Sequence, residues 1–306
     1  MEAILPSRMG ISRVVTVTSG QRFGVVEYGD PTGYPILALH GAPASRLMFE
    51  VADAPARELG LRLIAFDRPG YGLSPRDYGA TLPSRTAIFA EIPDAMHIER
   101  FAMIGVSGGG PYAVALAAAL RDRVTALGLI SPLGPVADVA SRSSPDPVHL
   151  SMAHRAFFLD LPRHPWVLRA NAEIAMRSFR AAPRFFSNAF VHALPVSDRA
   201  TLAREEVVTS IIDMTLEATN NGIGGGIADL EIYAEPWHVD YAAITAPTRL
   251  WQGTEDTIVP SEVTFRLANM IPGCELKRVH GGGHFWIYDR ISKTLDAVKK
   301  LALAQA

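Results

Sequence analysis

A serine among small residues is the clearest chemical feature of the chain. Residues 104–120 read IGVSGGGPYAVALAAAL, and GVSGG at positions 105–109 matches the pattern G-x-S-x-G. In that pattern a sharp strand-to-helix turn holds the serine above a sheet, because small flanking residues let the backbone bend without a clash. The motif predicts that Ser107 is a nucleophile, although a structural turn serine would also satisfy the motif taken alone.

The same stretch has two phosphate-binding interpretations. A P-loop needs a lysine after its second glycine, and residues 104–120 contain none. The segment GGGPYA, residues 108–113, fits the loose dinucleotide pattern G-x-G-x-x-A, which also requires an acidic residue at the end of the next strand. That strand ends in ISP, without an acid. We therefore favour a nucleophile over both phosphate-binding interpretations.

A serine hydroxyl reacts well only beside a base, and the base needs an orienting carboxylate. The late segment VHGGGHFW offers His280 and His284, and we favour His284 because a glycine-rich loop after the last strand suits the positioning of a side chain. The segment WQGTEDTIVP offers Glu255 and Asp256, either of which could instead solvate the loop or cap the next helix. We expect Asp256 to orient the base, since the order Ser, Asp, His is typical of this kind of sheet.

Acyl transfer also needs hydrogen-bond donors for the negative charge that develops on a carbonyl oxygen. The turn in LHGAPASR follows a buried apolar strand, and we assign one donor to the backbone N–H of Ala42. The second expected donor is the N–H of Gly108, at the start of the helix that follows Ser107. Taken alone, the HGAP turn is better explained as an ordinary strand ending, and its coincidence with the other segments at strand ends favours the donor role.

The elements that must position these residues alternate between strands and helices. Short apolar runs alternate with helical stretches up to about residue 133 and again from about residue 240, which predicts a mainly parallel sheet with helices on both faces. The first two strands are expected to form a hairpin around Ser19–Gly20, and Pro93 to interrupt the helix of residues 84–98. Each candidate site residue follows a strand, so all are expected at the carboxyl ends of the strands.

Between the two halves of this pattern lies a helical insertion, residues 134–240, without strand signals. Because it leaves after one strand and returns before the next, we expect it over the carboxyl ends of the sheet. We expect most of its aromatic residues to fill its own core, together with Met152, Met176 and Met214. The remaining aromatic residues are expected to face a substrate pocket. The segment NNGIGGGIAD, residues 220–229, lacks a helix or strand signal and is expected to form a hinge or a tight crossing. The aromatic residues considered are Phe157, Phe158, Trp166, Phe179, Phe185, Phe186 and Phe190.

Composition narrows the class of protein. The 306 residues are 48% hydrophobic and 20% charged, with a formal net charge of −2, which indicates a folded protein and argues against nucleic-acid binding. No apolar run is long enough for a membrane span, and residues 1–13 do not resemble a secretory signal. Cys274 is the single cysteine and is expected in a strand, so an internal disulfide is excluded. The histidines of the insertion lack metal-ligand spacing, so we expect no metal and no cofactor. A cytoplasmic enzyme with a small-molecule substrate fits these features, and a homodimer stays open.

Five segments, taken together and in this order, resemble the motifs of the α/β-hydrolase superfamily: LHGAPASR, FDRPGYGLS, IGVSGGGPYA, LWQGTEDTIVP and GGGHF. They cover about residues 22–133 and 240–300, and the chain looks most similar to the capped bacterial members described as hydrolases or acyltransferases. The resemblance implies the α/β-hydrolase fold, with a mainly parallel eight-stranded sheet and helices on both faces. It also implies a core domain of residues 1–133 and 241–306 and a helical cap domain of residues 134–240.

The resemblance also assigns roles to single residues. It implies a nucleophile at Ser107, an acid at Asp256, a base at His284, and oxyanion donors at Ala42 and Gly108. Asp67 and Arg68 are implied to belong to a structural loop. The third position of the His-Gly loop, Ala42, varies among relatives, and a serine rather than an aspartate at position 107 is unlike haloalkane dehalogenases and epoxide hydrolases.

These inferences predict a serine hydrolase that cleaves an ester, thioester or lactone of a small, mostly apolar molecule through an acyl-enzyme. An acyltransferase, a hydrolase of carbon–carbon bonds and a cofactor-free perhydrolase would use the same residues. The alternative from a different class is a non-catalytic ligand receptor on the same fold. Such receptors often lose one member of the triad, whereas all three positions are filled here.

Overall fold

A nine-stranded sheet runs through the centre of the protein, whose computed structural model describes residues 5–6, 11–141, 144 and 146–304. The strands in chain order are β1 Leu5–Pro6, β2 Ile11–Thr16, β3 Arg22–Gly29, β4 Tyr34–Leu39, β5 Leu61–Phe66, β6 Phe101–Val106, β7 Val124–Ile130, β8 Thr248–Gly253 and β9 Glu275–Val279. Their order across the sheet is β1-β2-β3-β5-β4-β6-β7-β8-β9. The pairs on the β1 side, up to β3 with β5, are antiparallel, and all pairs from β5 to β9 are parallel.

The central strands are apolar because both of their faces are covered. β6 and β7 are buried along their whole length, and their side chains alternate between two hydrophobic clusters, one on each face of the sheet. The predicted mainly parallel sheet is thus confirmed, and the two-residue β1 extends the eight expected strands. The predicted hairpin is also present, since β2 and β3 pair antiparallel and Gly20 lies between them with φ +83°.

Thirteen α-helices accompany the sheet in the described residues. In chain order they are α1 Asp53–Glu58, α2 Leu82–Phe89, α3 Ile92–Ala95, α4 Gly110–Leu120, α5 Val136–Val139, α6 Met152–Arg155, α7 Pro165–Ala181, α8 Pro183–His192, α9 Val196–Leu202, α10 Glu205–Ala218, α11 Gly224–Tyr233, α12 Ser261–Met270 and α13 Ile287–Leu303. Pro93 lies in the first turn of α3 and separates it from α2, as predicted. Within the ranges given above, none of these helices has the length and apolar character needed to cross a membrane.

The helical insertion contains α5 to α11, and its described residues include no strand, as predicted. The prediction that most of its aromatic residues form its core is wrong. Of the seven considered, only Phe158 is buried, and Trp166 is 76% exposed. Met152, expected in a core or a pocket wall, is 90% exposed. The reason is that α7 and α8 bury only Leu168 and Ser187, so most of each helix surface faces outward.

The glycine run expected to form a hinge or a tight crossing is the start of a helix, α11, so the hinge is wrong, and the close contacts of its glycines fit the tight crossing. A Cβ at Gly225 would lie 2.6 Å from the ring of Tyr71 and 2.8 Å from the carbonyl carbon of Gly70. A Cβ at Gly224 would lie 2.6 Å from Nε of Arg76. The glycines therefore allow α11 to pack directly on the loop after β5, and they serve close approach rather than flexibility.

This packing predicts opposite effects for two neighbouring substitutions. Gly225→Ala should destabilise the fold by about 1–3 kcal/mol, because the new methyl group overpacks a buried contact. Gly226→Ala is the matched control: its Cβ would meet only Oη of Tyr71, at 3.7 Å, so the gain in helix propensity of roughly 0.5–1 kcal/mol should dominate. Urea unfolding of both variants measures the difference. Equal shifts in the same direction would contradict the close-approach explanation.

Candidate active site

The turn at Ser107 is sharply bent. Ser107 directly follows β6 and has φ +50°, a left-handed conformation that is uncommon for a residue other than glycine. A Cβ at Gly105 would lie 2.6 Å from that of Ala113, and a Cβ at Gly109 would overlap the carbonyl oxygen of Leu39. The small residues are thus required by packing, and they leave Ser107 partly exposed at the carboxyl end of the sheet.

Three side chains from distant parts of the chain meet at this turn. Oγ of Ser107 lies 3.1 Å from Nε2 of His284, and Nδ1 of His284 lies 2.8 Å from Oδ2 of Asp256. The carboxylate accepts at Nδ1, which assigns the proton to that nitrogen and leaves Nε2 free to accept from the serine hydroxyl. The arrangement is a continuous hydrogen-bonded chain from a hydroxyl through an imidazole to a carboxylate.

The carboxylate of Asp256 is held on every side. Its side chain is fully buried, Oδ1 accepts from the backbone N–H groups of Ile258 and Val259, and Oδ2 also accepts from Nε2 of Gln252 at 2.9 Å. This loop follows β8, and its inward amides point at the carboxylate in the manner of an Asx turn. Asp256 therefore presents one fixed oxygen to the imidazole.

The competing candidates do not join this chain. His280 and Glu255 are exposed, and within the described residues neither side chain makes a hydrogen bond to Ser107 or His284. His284, by contrast, is buried, with its ring against Phe285. Of the residues weighed from the sequence, the structure brings His284 and Asp256 to Ser107 and leaves the other two outside.

Asp256 and His284 shift each other's pKa in opposite directions. Burial alone would raise the pKa of Asp256, but the charge and hydrogen bond of His284 hold it below its usual range. Burial alone would lower the pKa of His284, but the charge and hydrogen bond of Asp256 raise it above 6.5, with a smaller contribution from Asp198. The pair therefore joins an ionised carboxylate to an imidazole with increased proton affinity, as a general base requires.

Two backbone amides lie beside the serine. Ala42 is in the turn after β4, and a Cβ built on Gly108 would lie 3.0 Å from the Cβ of Ala42, so the two residues are in contact. Gly108 is in the first helical turn after Ser107, where N–H groups have no partner within the helix. Neither the N–H of Ala42 nor that of Gly108 donates a hydrogen bond within the described residues.

Arg68 supports the turn that carries Ala42. Its buried guanidinium donates to the carbonyl oxygens of His40 and Gly41, and its backbone N–H donates to Nε2 of His40 at 3.1 Å. Nδ1 of His40 lies 2.7 Å from the carbonyl oxygen of Gly41. Burial and the neighbouring Arg68 charge lower the pKa of His40 well below its usual value, so this histidine is neutral and braces the turn.

The insertion supplies the counter-charge for Arg68. Oδ2 of Asp229, in α11, lies 2.6 Å from Nη2 of Arg68, and Oδ1 lies 3.0 Å from Nη1 of Arg85. The hydroxyl groups of Tyr71 and Tyr112 also donate to this carboxylate. Burial would raise the pKa of Asp229, but the two arginines lower it, so the carboxylate stays ionised. A buried, fully paired charge cluster thus joins the insertion to the loops around Ser107.

A family model described as an alpha/beta hydrolase fold matches residues 34–290. The chain belongs to the α/β-hydrolase family. The match spans both halves of the sheet and every residue of the hydrogen-bonded chain described above. The sequence resemblance to this family and the expected fold are therefore confirmed.

Three relatives illustrate the range of this α/β-hydrolase family. The uncharacterized hydrolase YcgS of Bacillus subtilis (strain 168) is 26% identical over 286 residues, which cover 92% of this chain and 95% of that protein. Haloalkane dehalogenase 2 of Mycobacterium tuberculosis (strain ATCC 25618 / H37Rv) is 30% identical over 147 residues, which cover only 45% of this chain and 51% of that protein. The structure of the esterase EaEST from Exiguobacterium antarcticum superposes with a TM-score of 0.71 at 20% identity, covering 94% of this chain and 98% of that one. At that identity the structural likeness shows the fold alone.

The insertion contributes three contacts to this α/β-hydrolase site that sequence reasoning missed. Besides Asp229, the hydroxyl of Tyr233 donates to the carbonyl oxygen of Gly108 at 2.6 Å, and the carboxylate of Asp198 accepts from the backbone N–H of His284 at 2.9 Å. No local motif marks these residues, because their partners are more than 80 positions away in the chain. Within the described ranges, no group of three or more His, Cys, Asp or Glu side chains is arranged to hold a metal ion.

The opposed pKa shifts predict how His284 responds to a change at Asp256. Asp256→Asn removes the charge that raises the pKa of His284 while its burial remains, so that pKa should fall below the wild-type value. Titration of the imidazole by NMR measures the shift directly. Glu255→Gln, which removes an exposed charge from the adjacent position, is the control and should leave the pKa unchanged. An unchanged pKa in Asp256→Asn would show that the carboxylate does not act on the imidazole.

Proposed function

We propose that the protein is a serine hydrolase that cleaves an ester, thioester or lactone of a small, mostly apolar molecule through an acyl-enzyme. The observation that carries the proposal is the hydrogen-bonded chain of Ser107, His284 and Asp256 at a strained turn, with contacts of 3.1 and 2.8 Å. In this proposal residues 134–240 form a cap domain on a core domain of residues 1–133 and 241–306.

In the first half-reaction, Oγ of Ser107 attacks the carbonyl carbon while its proton passes to Nε2 of His284. Asp256 stabilises the resulting imidazolium and keeps its Nδ1–H directed away from the serine. The tetrahedral adduct then collapses, and the proton on Nε2 passes to the departing alcohol or thiol. The acyl group remains as an ester on Ser107, so every proton and bond is accounted for.

Negative charge accumulates on the former carbonyl oxygen of the adduct, and we assign the N–H groups of Ala42 and Gly108 to it. Both belong to rigid backbone, so they need no reorganisation as the charge develops. Loss of one such donor typically costs about 10²–10³-fold in rate. The Arg68 contacts that brace the turn after β4 support this assignment, since they hold the peptide groups before Ala42 in one orientation.

In the second half-reaction, water attacks the acyl-enzyme with His284 again as base. An acyltransferase would differ only in using an alcohol at this step, and carbon–carbon hydrolysis would use the same groups.

Halide displacement is disfavoured by the chemistry of the nucleophile. Attack by Ser107 on an alkyl halide would leave an ether, which water does not cleave, whereas a carboxylate nucleophile leaves a cleavable ester.

The preference for an apolar substrate is supported by aromatic residues beside the base. Phe285 directly follows His284, and its ring lies 6.4 Å from that of Phe190 in α8. Phe190 is 49% exposed, so part of its ring is free to contact a ligand near the site. Apolar side chains with a few polar groups are the usual lining of small-molecule sites.

The proposed nucleophile predicts covalent labelling by a fluorophosphonate. The wild-type protein should be labelled at Ser107, and Ser107→Ala should not be labelled, as measured by intact-protein mass spectrometry. Ser131→Ala is a matched control, because Ser131 also follows a strand with positive φ but its hydroxyl is buried and accepts from Trp286. That variant should label normally. An unlabelled wild type, under conditions that label other serine hydrolases, would favour the ligand-receptor alternative.

The proposed substrate class predicts a dependence on acyl length. Across p-nitrophenyl esters of increasing chain length, kcat/KM should rise by up to about fourfold per buried methylene, equivalent to about 0.8 kcal/mol, until the acyl site is full. Steady-state kinetics on the series measures the slope. A flat series, or a preference for esters of charged acids, would contradict the apolar assignment.

A further inference from the structure

A second buried carboxylate contacts the loop that carries His284. Oδ2 of Asp198 accepts from the backbone N–H of His284 at 2.9 Å, and Oδ1 accepts from the N–H of Phe285 at 2.8 Å. Asp198 belongs to α9 of the insertion and is fully buried. One side chain therefore binds two consecutive amides of a loop 86 residues further along the chain.

The loop is shaped to receive this carboxylate. A Cβ at Gly283 would overlap the carboxyl carbon and both oxygens of Asp198. The φ of Gly283 lies outside the left-handed region, and the three atoms nearest to such a Cβ all belong to Asp198, so crowding by this carboxylate opposes a side chain at this position. Glycine at position 283 is thus explained by the approach of Asp198 and not by the backbone conformation.

Neighbouring contacts attach the segment around α9 to α13. Oγ1 of Thr201, in α9, donates to Asp289 at 2.8 Å, and Arg204 forms an ion pair with Asp289 at 2.8 Å. Asp289 lies in α13, which begins three residues after His284. The segment around α9 is therefore attached to both the start of α13 and the loop before it.

We propose that Asp198 is a positioning residue of the insertion, which fixes the backbone of His284 so that its imidazole meets both Ser107 and Asp256. This inference rests on the proposed function, because it concerns the base of that reaction. The inference goes beyond the proposed function because it makes the insertion a part of the catalytic apparatus. Ionic hydrogen bonds to backbone amides are stronger than neutral ones, so two of them hold the loop firmly.

Asp198 also acts on His284 through its charge. The charged groups that face the imidazole are Asp256, from the loop after β8, and Asp198, from α9. Both favour the protonated ring and raise the pKa of His284 against the effect of burial. A loss of either charge should therefore lower that pKa, and activity, which requires the neutral imidazole, should persist to lower pH.

Asp198→Asn tests the proposal while keeping the size of the side chain. One acceptor becomes an NH₂ group that faces a backbone N–H, so kcat on a p-nitrophenyl ester should fall about 10²-fold, as expected for a displaced catalytic group. KM should change little, and the acidic limb of kcat/KM should move to lower pH. Asp213→Asn, which removes an exposed carboxylate from α10, is the matched control and should leave both unchanged. Equal kinetics and pH profiles for the two variants would overturn the proposal.

A second pair of variants separates positioning from folding. Gly283→Ala keeps the charge of Asp198 but occupies the space of its carboxylate, so it should lower kcat in the wild-type background. In an Asp198→Ala background the obstructing atoms are gone, and the same substitution should add little further loss. Equal losses in the two backgrounds would count against the contact, and unfolding midpoints of all variants identify any that fail to fold.

Hydrogen exchange tests the contact between Asp198 and the two backbone amides independently of catalysis. In the wild type the amides of His284 and Phe285 should be protected, and in Asp198→Ala they should exchange faster while the strand amides stay unchanged. A wild type that neither labels nor hydrolyses esters would count against the proposed function. A normal wild type whose Asp198 variants keep full activity and unchanged exchange at these two amides would count against Asp198 alone.

Discussion

The close packing of the turn at Ser107 against the end of β4 is the constraint from which the site follows. Gly109 lies directly against the carbonyl oxygen of Leu39, so the turn before α4 packs closely on the end of β4 and the loop that follows it. That packing brings Ala42 against Gly108 and holds Ser107 in the left-handed region. Such strain costs of order 1–3 kcal/mol and persists only where the surrounding structure over-determines it, as two strands and a helix do here.

The charge cluster around Asp229 extends this constraint to the insertion. Buried charges are expensive to desolvate and are tolerated only when every partner is present. Here Asp229 and Asp77 balance Arg68 and Arg85, and tyrosine hydroxyls satisfy the remaining oxygen lone pairs. Because Arg68 also holds the carbonyl groups of the loop after β4, the shape of that loop depends on a carboxylate from another part of the chain. The insertion is therefore a structural partner of the sheet.

The features that the sequence predicted are marked by local patterns, and the features that it missed depend on contacts between residues far apart in the chain. Strands, the turn at Ser107 and the loop of His284 have local patterns, because periodicity and glycine spacing act over a few residues. Asp198 and Tyr233 have none, since each finds its partner 86 or 125 residues away. The glycines of α11 are ambiguous for the same reason, because close approach and flexibility demand the same residue. The exposure of Trp166 could not be predicted either, because a helical pattern shows an apolar face but not what covers that face.

The insertion has two parts that differ in their attachment to the sheet. α9, α10 and α11 reach the loops around the site through the buried or partly buried carboxylates of Asp198, Glu217 and Asp229. By contrast, the ion pairs and long-range side-chain hydrogen bonds that the described residues of α7 and α8 make, through Arg180 and Arg184, stay within the insertion. Local opening costs least where few buried contacts must break. α8 also meets the loop of His284, since the rings of Phe190 and Phe285 lie 6.4 Å apart. α7 is therefore the helix with the fewest attachments outside the insertion, while α9, α10 and α11 hold the loop of His284 and the loop after β4.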